Sequence, residues 1–500
     1  MDTPALRLSK PVLPLVGSIF TALLLLFLAI PVEVLDQDET IYALIATELL
    51  NGHLPYSKVF DHKPIGIYYF YAFGQTLFGE SFYSIRLMSI LMVAIAAFFV
   101  SKALKDLELN SSSIVAALAG LLCTLLGMIG FSGNTEVFLT AIACVIFWNY
   151  IRLLTKFSNV HFLHCFTIGG LVAVGFSVNY LFSFFGLFSY LAFIASSLLL
   201  KKHSIVYLLK SSAFIFFGFL ILNLLVYLPF ILDALKGGSQ FQNYLKEQQT
   251  FLSLYGNPII KRVILEKLYI WFVPFLYIIF SAFYSIKSQQ KNIQITAFFF
   301  IGFFVATLVS ASVSKTFFNH YWALSSTAIA IGSAIAFEHI KDRFQLFSLS
   351  SAYAVALCLV LTLGSEKVIN HHLNSGEAKD THRAFNFIRS QISSKEPVAN
   401  INASSVYSYV GNLNVNQKYL FSDHVSLLEK GGHLSSDNYF YTLLENNPSF
   451  VLTTPSHCST QNENIETCKR LIQNYDLVAS FEGYWPVEFY RLRQPIVFSD

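Results

Sequence analysis

The chain has 500 residues, of which 54% are hydrophobic, 16% aromatic and only 13% charged, and its mean hydropathy is +0.55. This composition is typical of a membrane protein and excludes an ordinary soluble domain. The formal net charge of +3, without a basic run, gives no indication of a nucleic-acid partner.

The chain begins with an apolar segment that a charged loop follows. The apolar segment, residues 11–31, is long enough to cross a bilayer, which takes about 20 residues. No small-residue cleavage site follows it, so we expect a membrane anchor rather than a removed signal peptide. The charged loop covers residues 32–80 and becomes the first outer loop of the predicted topology. Within it, residues 39–50 predict a short amphipathic helix that ends at Asn51-Gly52.

Apolar segments recur after this loop. Together with the first segment they predict about eleven transmembrane helices. The later segments are 82–101, 112–131, 137–153, 163–179, 181–200, 205–232, 266–286, 293–312, 321–338 and 345–363. Residues 65–78 are aromatic, and we interpret them as an interfacial segment, with a further span as the alternative.

Lysine and arginine residues orient these spans, because they fall in alternate short loops on the same side as the N-terminus. Cytoplasmic loops carry such an excess. The pattern therefore predicts a cytoplasmic N-terminus and an outer face formed by the remaining loops and the C-terminal region. The basic residues are Arg7, Lys10, Lys102, Lys105, Arg152, Lys156, Lys201, Lys202, Lys287, Lys291, Lys341 and Arg343.

Residues 370–500 are polar and alternate between strand-like and helix-like stretches. They predict a small extracytoplasmic α/β domain after a transmembrane domain of residues 1–369. Cys458 and Cys468 lie in this region and are predicted to form a disulfide if its compartment is oxidising, with two free thiols as the alternative.

The predicted outer loops contain most of the unusual polar residues. An ionisable residue at membrane depth is costly and therefore a functional candidate. Glu136 at the start of a span is one such residue, although it would also favour the helix dipole. His320 and Tyr321 are another candidate pair, with an aromatic belt at the interface as the alternative. The first outer loop gathers Asp36, Asp38, Glu39, Glu48, Asp61, His62 and Lys63.

Four short motifs in these loops resemble one enzyme family. They are Asp38-Glu39-x-x-Tyr42, Asp61-His62-Lys63-Pro64-Ile65, Asn134-Thr135-Glu136 and Phe318-Asn319-His320-Tyr321. The chain resembles the GT-C glycosyltransferases that use lipid-phosphate sugars, a group that includes glycosyltransferase family 39, the protein O-mannosyltransferases and the lipid A aminoarabinose transferases. Two positions depart from the pattern. Ile65 replaces a second proline, and Asn179 stands where a basic residue is expected.

The resemblance implies a polytopic α-helical membrane enzyme, GT-C-like, with a C-terminal extracytoplasmic α/β domain. It implies a hexosyl or pentosyl transferase that moves a sugar from a polyprenyl-phosphate donor to an acceptor hydroxyl, with inversion. The acceptor would be a protein, a lipid or another glycan. Localisation in a bacterial inner membrane, among membrane lipids, is expected.

The implied chemistry assigns roles to the motif residues. Asp38 would be the base, with Glu39, Tyr42 and Glu136 completing the catalytic group. Asp36 is its rival, and the alternative for Asp38 is an N-cap. Lys63 would bind the donor phosphate. His62, His320 and Tyr321 are predicted to assist it. A divalent metal ion would be held by Asp61 and Glu136, with His62 as a further candidate ligand.

A transporter or flippase of a lipid-linked sugar is the alternative function. Transporters tend to show internal repeats and substrate groups near the membrane midplane, whereas this sequence shows no repeat and its acids gather on one face. A structural membrane scaffold would leave the charges of the first outer loop unexplained.

Overall fold

The structure is a computed structural model, and its described part consists of fourteen separate stretches. These are residues 19–20, 22–26, 28, 30–33, 36–129, 132–157, 159–254, 291–313, 323–340, 366–415, 417–420, 422–455, 457–458 and 465–493. The predicted spans 266–286 and 345–363 lie outside these residues.

The helices and strands of the described residues are numbered in chain order. The helices that precede the sheet are α1 Gln37–Leu50, α2 Gly66–Phe78, α3 Phe82–Asp106, α4 Ser111–Ile129, α5 Thr135–Thr155, α6 Phe162–Val178, α7 Phe182–Leu199, α8 Ile205–Val226, α9 Leu228–Leu235, α10 Gln240–Leu254, α11 Lys291–Val313, α12 Ser326–Ile340, α13 Glu366–His372 and α14 Gly376–Gln391. After them come β1 Pro397–Ile401, α15 Ser405–Val410, β2 Asn414–Val415, α16 Ser422–Lys430, α17 Ser436–Glu445, β3 Phe450–Thr453, α18 Glu466–Asn474, β4 Tyr475–Phe481 and β5 Val487–Leu492.

Helices occupy the predicted spans between residues 82 and 338 wherever the structure describes them. Within that part of the chain, α3, α5, α7 and α8 are long and apolar enough to cross a membrane, and α6 is a shorter apolar helix. Helix α2 has 13 residues and is about 20 Å long, too short for a span. The protein is therefore polytopic and helical, and the number of eleven spans stays a prediction.

The apolar helices pack in neighbouring pairs: α3 against α5, α6 against α8, α7 against α11, and α4 against α12. Helix α5 is the central one of the bundle, since the side chains of 17 of its residues are buried, and it also contacts α6 and α7. Its N-terminus carries Glu136, so the central helix places that carboxylate at one end of the bundle.

The cap of α1 is built by Asp36. The side chain of Asp36 accepts the backbone N–H of Asp38 at 3.2 Å, and Glu39 accepts the backbone N–H of Asp36 at 3.2 Å. This reciprocal arrangement is a capping box, which satisfies amides that the first turn leaves unpaired. The N-cap considered for Asp38 is thus filled by Asp36, and the helix begins two residues earlier than predicted.

A buried ion pair fixes α1 against the bundle. Glu39 receives both terminal nitrogens of Arg86 on α3, one of them at 2.9 Å, and both side chains are 1% exposed. Glu39 also accepts the backbone N–H of Gly133 in the loop before α5. A side chain at Gly133 would place its Cβ 2.7 Å from Ser89 Oγ, so this close approach requires glycine. One carboxylate therefore joins α1, α3 and the start of α5.

The C-terminal part contains a five-stranded sheet in the order β2-β1-β3-β5-β4. Strand β1 runs parallel to β2 and β3, whereas β5 runs antiparallel to β3 and β4. Apolar clusters cover both faces of the sheet, one around Phe385 and Phe489 and the other around Leu444 and Leu471. Mixed α/β structure follows from strands buried between helices on both sides.

Cys458 and Cys468 form a disulfide that joins the segment after β3 to α18. The predicted pairing is confirmed. The same part of the chain also packs on the first outer loop. The Oγ1 of Thr40 lies 2.7 Å from the Oγ of Ser405, and the backbone N–H of Phe60 donates to the carbonyl of Lys418 at 2.8 Å. The division at residue 370 stays a prediction.

Loss of the buried ion pair should destabilise the protein strongly. Arg86→Met leaves the Glu39 carboxylate buried without its cation, which typically costs about 3–5 kcal/mol. Combining it with Glu39→Gln removes the stranded charge and should restore part of that loss. The measurement is the free energy of unfolding of the purified protein in detergent. Arg383→Met is the matched control, because its pair with Asp380 is largely exposed and should change stability by at most about 1 kcal/mol. Equal effects of the two single substitutions would contradict the role of Arg86.

Candidate active site

Asp38 stands in the first turn of α1 and is enclosed by other charged groups. The hydroxyl of Tyr42, one turn later, donates to its Oδ2 at 3.4 Å. Burial raises the pKa of Asp38 to about 6; the carboxylates of Asp61 and Glu136 add to the rise, and Lys63 opposes it. The first outer loop and the start of α5 therefore place two further carboxylates and one ammonium within electrostatic reach of Asp38. Asp38 remains mostly ionised at neutral pH and is basic enough to accept a proton.

Asp36 has a structural role that differs from the role predicted for Asp38. It caps α1, and the side chain of Asn134 donates to its second oxygen at 3.4 Å. Burial raises the pKa of Asp36 to about 6, helped by Asp38 and Glu39 and opposed by Lys367. Its oxygens are thus engaged by the helix start and by the loop before α5.

Glu136 is 2% exposed and lies in the first turn of α5, after the N-cap Asn134. The hydroxyl of Thr135 donates to its Oε2 at 2.8 Å, but its Oε1 has no hydrogen-bond partner among the described residues. A buried carboxylate oxygen without a partner is expensive and is the kind of group that a ligand completes. The helix dipole explains why a carboxylate is tolerated at this position, but it does not explain why Oε1 has no partner.

Lys63 is 6% exposed and is therefore not a surface lysine. Its Nζ lies 2.9 Å from His62 Nε2, and its carbonyl accepts hydrogen bonds from the hydroxyls of Tyr56 and Tyr68 at 2.5 and 3.1 Å. Tyr68 also donates to Asp61 Oδ2 at 3.0 Å. Two tyrosines thus hold the Asp61–Pro64 turn, so the ammonium group is attached to a rigid backbone.

Asp61, His62 and His424 bring three potential metal ligands together, within 4.8 Å of one another. His62 Nδ1 lies 3.2 Å from Asp61 Oδ1 and 3.2 Å from His424 Nε2. Burial lowers the pKa of His62, and it lowers that of His424 to about 3, so both rings are neutral at pH 7. Burial opposes ionisation of Asp61, but the neighbouring His62, Lys63 and His424 lower its pKa below the usual range.

This donor set fits a transition metal such as Zn²⁺, which neutral imidazoles and a carboxylate commonly bind. In the part of the chain that the structure describes, no comparable group of three ligands includes Glu136. The predicted metal residue Asp61 therefore lies with the two histidines, and the predicted metal role of Glu136 stays a prediction.

Several site residues were not predicted from the sequence. Arg86 could have been found, because a charged residue inside an apolar span requires a partner. His424 could not, since it lies 362 residues after His62 and has no local motif. Gln248 of α10 is 4% exposed; its amide donates to the carbonyl of Asp61 at 3.4 Å, and its Oε1 has no partner within the described residues.

The remaining predicted residues have mixed outcomes. His320 and Tyr321 lie outside the described residues. Asn179 is 7% exposed and accepts the N–H of Leu181 at 3.0 Å, as expected of a residue that forms the turn between α6 and α7. The roles assigned to Asp38, Glu39, Tyr42 and Lys63 stay predictions. Glu39, Tyr42 and Lys63 are buried, whereas Asp38 is only partly buried.

Comparison with known proteins supports the architecture. A sequence profile of the family described as dolichyl-phosphate-mannose-protein mannosyltransferase matches residues 62–230, which include the Lys63 turn and Glu136. No curated protein sequence matches the chain.

Solved structures match over almost the whole chain. ArnT from Cupriavidus metallidurans bound to undecaprenyl phosphate has a TM-score of 0.66 at 10% identity, covering 96% of this chain and 97% of ArnT. Its apo structure gives the same TM-score at 12% identity and the same coverage. AglB from Archaeoglobus fulgidus, an oligosaccharyltransferase in complex with an inhibitory peptide and a dolichol-phosphate, has a TM-score of 0.50 at 12% identity, covering 97% of this chain and 75% of AglB. The chain therefore has the GT-C fold of the membrane glycosyltransferases, as the motifs of its first outer loop predict.

Proposed function

We propose that this protein is a membrane glycosyltransferase that moves a sugar from a polyprenyl-phosphate donor to an acceptor hydroxyl. The observation that carries the proposal is the group formed by the partly buried Asp38 and the buried Glu136 and Lys63 at one end of the helical bundle. A carboxylate base and a fixed cation are what transfer from a phosphate leaving group requires.

Asp38 acts as the base that takes the proton of the acceptor hydroxyl. Its raised pKa matches this task, and the Tyr42 hydroxyl holds the carboxylate in one orientation. Attack from the side opposite to the phosphate gives inversion at the anomeric carbon. Glu39 assists through position, because its bond to Arg86 fixes the helix that carries Asp38.

Lys63 binds the donor phosphate as a point charge and stabilises the leaving group. His62 is adjacent to its ammonium, and His320 and Tyr321 are proposed to complete the phosphate site. ArnT is described as bound to undecaprenyl phosphate and AglB as in complex with a dolichol-phosphate, so a polyprenyl phosphate is the donor class we propose here. The transferred group is a hexosyl or pentosyl unit.

Glu136 faces the same region with an open oxygen and is proposed to bind a hydroxyl of the acceptor or of the donor sugar. The acceptor is a protein, a lipid or a glycan. The inhibitory peptide in the AglB complex supports the first class.

The active site is proposed to face away from the cytoplasm of a bacterial inner membrane. The support is the alternation of Lys and Arg loops, which puts the N-terminus inside and the first outer loop outside. The disulfide in the C-terminal part is in keeping with an oxidising compartment.

A divalent metal ion is proposed at Asp61, His62 and His424, and Gln248, whose amide N–H donates to the backbone carbonyl of Asp61, lies beside this group. Such an ion would supply positive charge next to Lys63 and so favour binding of a phosphate. When the ion is bound, Asp61 and the two histidines would also join the first outer loop to the C-terminal part.

Asp38→Asn should abolish transfer while the protein still folds and binds donor. Asparagine cannot accept the proton, and loss of a general base typically lowers the rate about 10²–10⁴-fold. Asp36→Asn is the matched control, because asparagine is an equally good N-cap and should keep near-wild-type activity. The measurement is the rate of sugar transfer by purified protein. If Asp36→Asn loses transfer and Asp38→Asn keeps it, the role of the base is assigned to Asp36.

The same assignment determines the pH dependence. Asp38 must be ionised to act, so the transfer rate of the wild type should rise with pH through about 6 and then level off. A profile that stays flat down to pH 4 would exclude Asp38 as the base.

Lys63→Met should weaken donor binding and turnover together. Methionine keeps most of the side-chain volume but removes the charge, and a charge-assisted hydrogen bond contributes about 1.5–3 kcal/mol, or roughly 10- to 100-fold in affinity. Lys58→Met is the control, since Lys58 lies in the same loop but is half exposed and paired with Glu48. Binding of a labelled polyprenyl phosphate sugar measures the effect. Unchanged affinity of Lys63→Met would argue against the phosphate role.

The metal proposal predicts that purified wild-type protein retains about one transition-metal ion per chain. His424→Gln should lose it, whereas His433→Gln, at an exposed position outside the group, should not. Elemental analysis after dialysis measures the content without reference to activity. Protein that is free of metal after loading with Zn²⁺ would refute the site.

A further inference from the structure

A second group of charged side chains lies at the other end of the central helix. Arg152 follows Glu136 on α5 by 16 residues, which places it about 24 Å away along the helix axis. The end of α3 and the start of α6 meet α5 there. This end of the bundle is therefore on the membrane face opposite to the proposed active site.

Six side chains form a basic aromatic cluster at this end. Lys102 Nζ lies 5.0 Å from the ring centre of Trp148, and the guanidinium of Arg152 lies 5.4 Å from the same ring. Arg152 is also 5.4 Å from the ring of Phe157. The His161 and His164 rings are 4.7 Å apart and both pack on Phe157. The tryptophan thus contacts two permanent positive charges.

Hydrogen bonds within the chain leave part of the cluster open. The indole N–H of Trp148 donates to Asp106 at 3.0 Å, and His164 Nδ1 lies 2.5 Å from Asn149 Oδ1. In contrast, Arg152 Nε and His161 Nδ1 are buried atoms that find no hydrogen-bond partner in the described residues. Arg152 Nε always carries a hydrogen, and a buried N–H without an acceptor is rare in native proteins, so an acceptor beyond the described residues is expected here.

We propose that the basic aromatic cluster binds the phosphate of an anionic phospholipid in the leaflet opposite to the active site. A phosphate supplies the missing acceptor oxygens, and two nearby cations attract its charge. The position at the ends of three apolar helices puts the cluster at the depth of lipid headgroups, where Trp148 is also favoured. Basic pockets between transmembrane helices bind anionic headgroups in this way.

A metal ion does not fit the same place, because Lys102 and Arg152 repel a cation. The half-buried indole and the adjacent Phe157 ring favour a ligand with an acyl chain over a small, fully hydrated anion. The lipid is therefore the occupant that accounts for both the charges and the aromatic rings.

Native mass spectrometry of the full-length protein in detergent tests the proposal. Phosphatidylglycerol and phosphatidylcholine with identical acyl chains are added at equal concentration. The wild type should retain phosphatidylglycerol about 25-fold better, roughly fivefold for each of the two cations, and Arg152→Gln should reduce that preference about fivefold. Lys202→Gln is the matched control. It removes an exposed charge from the neighbouring loop, whose His203 bonds the carbonyl of Leu153, and should leave the preference unchanged.

Equal retention of the two lipids by the wild type would overturn the inference, and so would an unchanged preference in Arg152→Gln. Displacement of bound phosphatidylglycerol by millimolar inorganic phosphate would also overturn it, because it would indicate a site for a free anion. If Arg152→Gln does not fold, Lys102→Gln replaces it, because it removes the other cation beside Trp148 and should lower the preference similarly. An unchanged preference in Lys102→Gln would then refute the site.

Discussion

The buried pair of Glu39 and Arg86 determines the geometry of everything proposed for catalysis. Glu39 is one residue from Asp38, and its carboxylate is held at the same time by the arginine of α3 and by the amide of Gly133. If α1 rotated, Asp38 would leave the carboxylates and the ammonium around it. The attraction between two buried charges offsets the cost of their desolvation only when their hydrogen bonding is this complete. The main effect of the pair is therefore to fix the orientation of α1 rather than to add net stability.

The electrostatics of the site follow from the different surroundings of its carboxylates. Asp61 is surrounded by donors and stays ionised, which suits a permanent ligand of a cation. Asp38 has one weak hydrogen bond and several acidic neighbours, so its proton affinity rises. One loop thus contains a stable anion, Asp61, and a more basic carboxylate, Asp38. Burial disfavours the charge of both groups, but only at Asp61 do the neighbouring donors and cations outweigh this effect.

Sequence patterns predicted the parts of the fold that depend on local order. Apolar segments gave the helices between residues 82 and 338, and the Asp38-Glu39-x-x-Tyr42 spacing placed a tyrosine one helical turn from the aspartate. Alternating residues near Phe450 and Leu477 located β3 and β4. The contacts of His424, Gln248 and Arg86 were not predictable in the same way, because each depends on packing between segments distant in sequence. The helix start was misplaced by two residues because the cap of Asp36 prevailed over the apolar period.

The position of His424 limits how the C-terminal part can be exchanged between related proteins. It comes from the sheet-containing part of the chain, yet its ring lies against His62 in the loop next to the bundle. The C-terminal part thus contributes a side chain to the proposed active site. Chimaeras that exchange this part between related proteins would also exchange a piece of the proposed active site, so the two parts would have to change together during evolution.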